Sequence, residues 1–171
     1  MSWKKEIEEI KKRRSLAKEQ GGKESVRKHH KKGKLTARER INRILDKESF
    51  QELGSIAGTA QYSDSGSLKS YSPANYIVGI GKVNNRNVAV GAEDFTLKGG
   101  SPNTSGLRKS IYAEHLALNY KTPLIRLLEG GGGSVRKSLD ENDPKVWGDA
   151  LFGSPRFAVI AEVMGKVPVV S

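Results

Sequence analysis

Hydrophobic residues near the N-terminus recur at helical spacing. Trp3, Ile7 and Ile10 fall about one turn apart, and charged side chains fill most other positions of residues 2–19. The pattern predicts an amphipathic helix that two consecutive glycines bring to an end. We interpret the polar, basic stretch from these glycines to Gly33 as a connector.

A second helix is predicted where a capping pattern precedes an apolar face. Thr36 and Glu39 have the spacing that suits the reciprocal hydrogen bonds of a capping box. The helix should begin at Thr36 and end near Asp46. Beyond it, residues 50–56 favour a short strand, and the Ser- and Gly-rich stretch 58–73 is predicted to be a loop.

The middle of the chain alternates strand and helix patterns. Runs rich in β-formers over 76–83 and 87–92 are separated by residues 84–86, two asparagines and an arginine that tolerate a tight hairpin. The two runs should therefore pair antiparallel. A glycine-rich loop is predicted over 94–106, and a helix over 107–118.

A short buried strand and a glycine run follow. Residues 124–128 form an apolar run of the kind buried in a sheet, and it leads directly into Glu129 and four glycines. A helix is predicted over 144–164 and a last strand over 167–170. We expect the domain to continue past that strand, so that residues 1–171 hold only part of it.

Composition limits the kinds of protein that this chain could be. Its 171 residues, of which 36% are hydrophobic, suit one medium-sized core. No apolar stretch approaches the roughly 20 residues of a membrane-spanning helix, and no secretory signal pattern opens the chain, so we expect a soluble, unsecreted protein. The absence of cysteine excludes disulfides, thiolate metal ligands and a cysteine nucleophile.

The net charge of +11 is concentrated in the N-terminal segment. Residues 1–43 carry sixteen lysines and arginines against six glutamates, a net of +10, whereas the rest is almost neutral. Such a segment could bind a nucleic-acid backbone, an acidic partner or the phosphates of a cofactor, or it could be solvated surface. Charge alone does not choose among these, and the interspersed glutamates argue against a mitochondrial presequence.

The four consecutive glycines carry a conformational cost, because glycine loses the most backbone entropy on ordering. Glycines leave the peptide N–H groups of the backbone accessible, as an oxyanion hole requires. In such a site the N–H groups stabilise an oxygen that becomes negative in the transition state. Gly131 and Gly132 are the candidate donors. A phosphate-binding loop is disfavoured because its Gly-Lys-Ser/Thr ending is missing, and a flexible connector is the structural alternative.

Three segments in this order resemble the carboxyltransferase β subunits of propionyl-CoA and methylcrotonoyl-CoA carboxylases. They read KGKLTARERINRILDKESFQELG at 32–54, EDFTLKGGS at 93–101 and LLEGGGGSV at 127–135. Each segment alone is weakly specific, but their combined order is highly specific. The resemblance covers residues 25–171.

The resemblance implies an α/β fold of the crotonase type, built of ββα units, incomplete here and preceded by N-terminal helices. It implies a basic helical segment over residues 1–46 and the first part of an acyl-CoA carboxyltransferase domain over 47–171. The implied reaction moves a carboxyl group from carboxybiotin to an acyl-CoA through an enolate. Biotin would be carried on a separate domain or subunit, with a biotin carboxylase component as a further partner. The full-length subunit would be a homo-oligomer in the cytoplasm, or in the mitochondrial matrix of a eukaryote.

The resemblance also implies roles for individual residues. Gly131 and Gly132 match the family segment whose backbone amides hold the enolate oxygen. Arg108 and Lys109 resemble the basic start of the same helix in methylcrotonoyl-type subunits, and we assign them to the phosphates of CoA. Lys98, in a glycine-rich loop before that helix, is a further candidate for a phosphate contact. A solvated surface is the alternative for all three. The family's second oxyanion hole comes from a later glycine-rich segment, so we expect this stretch of chain alone to be inactive.

The remaining ionisable residues show no metal-binding or acid–base pattern. His29, His30 and His115 form no ligand set with carboxylates, and we expect structural or solvent-facing roles for them. Glu93 and Asp94 are paired carboxylates, and the family segment around them indicates that they hold a loop rather than transfer a proton.

Two other classes of function stay open. A nucleic-acid-binding protein would use residues 1–43, but of the aromatic residues only Trp3 lies among these basic ones. A biotin-independent crotonase-like CoA enzyme, or a decarboxylase subunit, would share the role of Gly131 and Gly132. The identity of the acyl group on the CoA substrate also stays undecided, because Ser134 stands where propionyl-type subunits carry an arginine.

Overall fold

Helices come first along the chain, and strands dominate its middle. The computed structural model describes residues 3–101, 103–130 and 155–171, with the backbone alone for 155–157. The described helices are α1 (Lys4–Lys18), α2 (Gly22–Lys31), α3 (Ala37–Ile44), α4 (Thr104–Tyr120) and α5 (Pro155–Lys166). The described strands are β1 (Gln51–Leu53), β2 (Gly58–Tyr62), β3 (Leu68–Pro73), β4 (Tyr76–Val83), β5 (Arg86–Glu93), β6 (Leu124–Leu127) and β7 (Val169–Val170). Over these residues, no helix is both long and apolar enough to cross a membrane.

Within the described part of the chain, one mixed sheet has the strand order β1-β4-β5-β6-β7. β4 pairs antiparallel with β1 and with β5, which confirms the predicted hairpin, whereas β5, β6 and β7 run parallel. The β4–β5 turn holds Asn84 and Asn85 at φ of 48° and 63°, which asparagine tolerates. The Asp46 carboxylate accepts hydrogen bonds from both of their N–H groups, at 3.0 and 2.7 Å, and so fixes the turn.

Helices cover both faces of this sheet, which confirms the predicted α/β class. On one face, α4 and α5 contribute to a core that contains Leu116 and Val78. On the other face, α3 contributes to a core that contains Ile41 and Ile77. Adjacent residues of β4 enter different cores because successive strand side chains point to opposite faces of a sheet.

The capping box predicted at the start of α3 is confirmed. The Thr36 hydroxyl accepts a hydrogen bond from the Glu39 N–H at 3.3 Å, and the Glu39 carboxylate accepts one from the Thr36 N–H at 2.7 Å. These bonds pair two amides at the start of the helix. The helix runs from Ala37 to Ile44, close to the predicted bounds.

The predicted helix over residues 2–19 is confirmed as α1, which lies on the β2–β3 hairpin, but the three apolar residues that predicted it are exposed. The Arg13 guanidinium donates to the Glu9 carboxylate at 2.5 Å and to the Tyr62 hydroxyl. The same guanidinium lies 5.7 Å from the centroids of the Tyr62 and Tyr71 rings. The inner face of α1 is thus held by ionic and aromatic contacts.

The predicted connector up to Gly33 is wrong, because α2 occupies most of that stretch. Gly21 does more than end a helix. A Cβ at this position would lie 2.0 Å from the carbonyl oxygen of Thr96, so glycine permits a close approach to the loop after β5. The apolar pattern does not reveal α2, because the buried residue of this helix is His29 rather than an apolar side chain.

The loop predicted over 58–73 is also wrong, because β2 and β3 form an antiparallel hairpin. The Ser63 hydroxyl closes its turn by accepting a hydrogen bond from the Ser67 N–H at 3.2 Å. Most side chains of the two strands are exposed or half-buried. Without an apolar face, no alternation marks the strands in the sequence.

The C-terminal elements agree with the sequence prediction as far as they are described. β6 is the predicted strand, although only its first residue is fully buried and the others are half-buried, and α4 contains the helix predicted over 107–118. α5 confirms the last part of the helix predicted over 144–164, whereas residues 144–154 lie outside the described residues. β7 lies within the strand predicted over 167–170.

Candidate active site

The candidate site lies where the parallel strands β5 and β6 end. Ala92 on β5 pairs with Leu127 on β6, so the two strands reach the same edge of the sheet together. In open α/β sheets, ligands bind outside the carboxyl ends of the strands. The chain leaves β6 there through Leu128, Glu129 and Gly130, where the glycine run begins.

The Glu93 carboxylate, at the end of β5, holds the chain that leaves β6. One of its oxygens accepts hydrogen bonds from the N–H groups of Glu129 and Gly130, at 2.8 and 3.1 Å. Gly130 itself has φ of 65°, in the left-handed region that favours glycine. A side chain of β5 thus fixes the first turn of the glycine run.

Three basic side chains surround the Glu129 carboxylate, which is only 10% exposed. The nitrogens of Lys34, Arg40 and His29 lie 3.2, 3.3 and 3.4 Å from its oxygens. All three belong to the N-terminal region, between α2 and α3 or on these helices. Part of the basic N-terminal charge is therefore used inside the molecule, against the start of the glycine run.

Arg40 on α3 also bridges the ends of the two strands. Its guanidinium donates to the carbonyl oxygen of Glu93 at 2.7 Å and to that of Leu128 at 3.2 Å. A planar guanidinium can make several such bonds in a fixed geometry. α3 therefore connects the exits of β5 and β6 directly.

Asp94 holds a different loop from the one that Glu93 holds. Its carboxylate accepts hydrogen bonds from the Thr96 N–H at 3.0 Å and from the Thr96 hydroxyl at 2.5 Å. The other oxygen accepts from the Gln20 side chain at 3.1 Å. The paired carboxylates thus fix two loops, the one after β5 and the one after β6.

The basic residues predicted to contact CoA do not share one surface. Lys98 is exposed, with φ of 50°, in a short 3-10 turn between β5 and α4. Arg108 is exposed on α4, whereas its neighbour Lys109 is buried, with 8% of its surface exposed. The other two predicted site residues, Gly131 and Gly132, lie outside the described residues.

The ammonium group of Lys109 lies beside the Arg38–Glu52 ion pair. Burial lowers the pKa of Lys109 to about 8, while the nearby Glu52 carboxylate raises it and Arg38 lowers it further. Glu52 is already engaged, because both of its oxygens accept bonds from the Arg38 guanidinium at 2.8 and 3.2 Å. Lys109 makes no hydrogen bond or ion pair of its own with the described residues.

Two small cavities lie near the site. One has a volume of about 10 Å³ and is lined by Arg38, Glu52 and Lys109 among others. The other has about 30 Å³ and lies between Glu93 and the start of α4, beside Ser110. Such volumes suit one or two waters, so neither cavity could hold a CoA or a biotin.

The histidines take different positions in the fold. His29 is buried, with its Nε2 3.2 Å from the Leu35 carbonyl oxygen, whereas His30 lies 2.9 Å from the Glu39 carboxylate and His115 is exposed. Among the residues that the structure describes, no group of three His, Cys, Asp or Glu side chains could hold a metal ion.

Sequence reasoning missed the group of His29, Lys34 and Arg40 around Glu129. Lys34 and Arg40 lie in the segment that carried the family resemblance, but we attributed them to a helix and its flank rather than to a site. The residues that they contact lie about 90 positions further along the chain. No local pattern predicts so distant a contact.

Comparison with known proteins identifies the family of this chain. The family model for the carboxyl transferase domain matches residues 28–146, which is more than half of the chain. The probable mitochondrial methylcrotonoyl-CoA carboxylase beta chain of Drosophila melanogaster is 32% identical over 150 residues, which cover 82% of this chain and 25% of that protein. The biotin-dependent 3-methylcrotonyl-coenzyme A carboxylase beta1 subunit of Mycobacterium tuberculosis is 40% identical over 115 residues, which cover 66% of this chain and 21% of that protein.

A solved structure has the same fold. Transcarboxylase 12S, described as a hexamer with methylmalonyl-coenzyme A and methylmalonic acid bound, matches with a TM-score of 0.66 and 29% identity, over 82% of this chain and 28% of that one. This match confirms the predicted crotonase-like fold. The chain spans about a quarter of the length of the relatives that it matches. From the sheet, the glycine run that follows it and the match over residues 28–146, we conclude that the chain belongs to the carboxyl transferase domain family.

Proposed function

We propose that the protein acts as a biotin-dependent acyl-CoA carboxyltransferase, which moves a carboxyl group from carboxybiotin to an acyl-CoA thioester. The observation that carries this proposal is the family match over residues 28–146, which includes the exit of β6 and the glycine run. The names of the three relatives reported above support it, since they are carboxylase or transcarboxylase subunits whose names or bound ligands include a CoA thioester.

In the proposed reaction, carboxybiotin would supply CO2 when the bond from its ureido nitrogen to the carboxyl group breaks, and that nitrogen would take the α-proton of the acyl-CoA. The acyl-CoA enolate would then form the new carbon–carbon bond to CO2. The backbone N–H groups of Gly131 and Gly132 hold the enolate oxygen. Amides preorganised for a developing negative charge stabilise the transition state more than the ground state. The support from the described residues is the pair of Glu93 hydrogen bonds just before these glycines, because an amide donor must be held in place to be effective.

Biotin supplies the carboxyl group, and we propose that it is carried on a separate domain or subunit. The two cavities beside the strand ends, with volumes of about 10 and 30 Å³, are too small for this group. A cofactor pocket in a protein typically has several hundred Å³, on the order of 300 or more. We therefore assign none of the described residues to biotin.

For the phosphates of CoA we propose Lys98 and Arg108. Both side chains are exposed, and both belong to the stretch that follows β5, whose end lies at the candidate site. Lys109 was assigned with them from the sequence. Its burial favours a contribution through positive charge on the same helix rather than through direct contact with a phosphate.

The proposed partners are the biotin carboxyl carrier and biotin carboxylase components, and the full-length protein is proposed to be a homo-oligomer. The hexamer described for transcarboxylase 12S supports the last point. We propose the cytoplasm as the compartment, or the mitochondrial matrix if the source is eukaryotic.

The test is a transfer assay with the full-length protein and a carrier loaded with isotopically labelled carboxybiotin. Acetyl-CoA, propionyl-CoA and methylcrotonoyl-CoA are offered separately, and label in the acyl-CoA is measured. We expect transfer to at least one of them. Two results together would instead favour a biotin-independent decarboxylase. The protein would remove the carboxyl group from methylmalonyl-CoA without any biotinylated carrier, and it would transfer no carboxyl group when the carrier is present.

A further inference from the structure

Two carboxylates in this fold each hold two successive backbone amides, at opposite ends of the same sheet. Asp46 does so in the β4–β5 turn. Glu93 does so where β6 ends, with the amides of Glu129 and Gly130. Asp46 accepts one bond on each of its carboxylate oxygens, whereas Glu93 accepts both on Oε2. Of the two, only Glu93 lies next to the glycine run.

Hydrogen bonds hold the chain at Gly130. Apart from its chain neighbours, no described residue has an atom within 4 Å of the position that a Cβ on Gly130 would take. The N–H of Gly130 donates to Glu93 at 3.1 Å, and the preceding carbonyl of Leu128 accepts from Arg40 at 3.2 Å. The direction in which the chain leaves β6 therefore depends on a few polar groups.

We propose that Glu93 is a positioning residue for carboxyl transfer, because its carboxylate sets the direction of the chain that leaves β6. The inference rests on the proposed function, in which the amides that follow hold the enolate oxygen. Such donors act only when they are preorganised, and a displacement of about 1 Å can lower a rate about 100-fold. Glu93 acts through the backbone and touches no reacting atom.

The test compares Glu93→Ala and Glu93→Gln with Asp46→Ala in the full-length enzyme. Glu93→Ala should lower kcat about 10-fold to 100-fold and leave the KM for acyl-CoA within about threefold, because contacts with CoA lie elsewhere. Glu93→Gln keeps an acceptor oxygen and should restore part of the rate. Asp46→Ala removes a matching pair of hydrogen bonds and should lower stability without changing kcat.

Hydrogen exchange gives a readout that does not depend on activity. In Glu93→Ala, peptides that cover Glu129 and Gly130 should exchange their amides faster, while the β4–β5 turn is unchanged. In Asp46→Ala, the turn should exchange faster and the β6 exit should be unchanged. This crossed pattern separates local release of the β6 exit from a general loss of stability.

Each outcome decides something. Unchanged exchange at Glu129 and Gly130 in Glu93→Ala overturns the inference, whatever the activity. Normal kcat with faster exchange there overturns the positioning role, and so does an equal loss of kcat in Asp46→Ala. If the wild-type enzyme transfers no carboxyl group, the proposed function fails, and the catalytic part of the inference fails with it.

Discussion

Lys109 is a charged side chain that is buried in the fold, which is energetically unfavourable. Its side chain lies in the protein interior beside Arg38, and the nearby Glu52 carboxylate is already paired with that arginine. Burial disfavours the charged form of an amine and lowers its pKa. A lysine whose pKa is about 8 in the folded state binds fewer protons than the unfolded chain over the range from pH 8 to 10.5.

We therefore predict that Lys109→Met raises the free energy of unfolding at pH 7. The lowered pKa corresponds to a cost of about 3 kcal/mol below pH 8, where the cost is fully present, and that cost disappears as the pH rises towards the unfolded value of 10.5. The gain from the substitution should thus be larger at pH 7 than at pH 10. Urea denaturation at the two pH values measures it.

The neighbouring residue provides the control for this substitution. Arg108→Met changes an exposed side chain on the same helix, and its effect on stability should be small and the same at both pH values. A Lys109→Met gain that does not change with pH would show that packing, rather than the buried charge, is responsible.

At the scale of elements, the N-terminal helices dock on the loop after β5 through Gly21. The Gly21 N–H donates to the Thr96 hydroxyl at 2.9 Å, and no room exists for a Cβ there. Gln20 adds a hydrogen bond to Asp94 in the same loop. A glycine thus joins two elements that lie about 75 residues apart in the sequence.

We predict that Gly21→Ala destabilises the protein by about 1 to 3 kcal/mol, because the new methyl group forces the loop away. Thermal unfolding would measure the effect. Gly165→Ala is the matched control. This glycine lies in α5, and outside its own helix no described residue comes within 4 Å of its Cβ position. Alanine should raise the free energy of unfolding by about 0.5 kcal/mol there. Equal effects of the two substitutions would contradict the proposed docking contact.

Elements with a strong apolar period could be predicted from the sequence, and the others could not. The capping pair Thr36 and Glu39 and the β4–β5 hairpin are local signals, and the structure confirms both. α2 buries a histidine, and the β2–β3 hairpin buries little, so neither has an apolar period. The contacts of the candidate site could not be predicted from local patterns either, because Arg40 and Glu129 come together only in the folded chain.

At the scale of the whole molecule, the basic N-terminal charge is directed partly inward. Arg38 pairs with Glu52, and Lys34 and Arg40 pair with Glu129, two carboxylates that lie outside residues 1–43. These pairs reduce the net charge that the segment presents to a polyanion. This arrangement favours a structural use of the segment over the nucleic-acid alternative.

We predict that the protein does not bind a random-sequence DNA duplex with a Kd below about 10 μM in about 0.15 M salt. Fluorescence anisotropy of labelled duplex over a salt series would measure the affinity and its slope. A variant lacking residues 1–24 is the control. Micromolar binding with a steep salt dependence that disappears in this variant would support a nucleic-acid-binding protein.

The most direct measurement of the central claim is steady-state kinetics of Gly132→Val in the full-length enzyme. A displaced oxyanion donor should raise the barrier by roughly 3 kcal/mol, so kcat should fall on the order of 100-fold while the KM for acyl-CoA changes little. Arg108→Ala should do the reverse, with a raised KM and an unchanged kcat, because it removes uniform binding. A Gly132→Val enzyme that folds normally by circular dichroism and keeps its full kcat would contradict the assignment of the glycine run as the oxyanion hole.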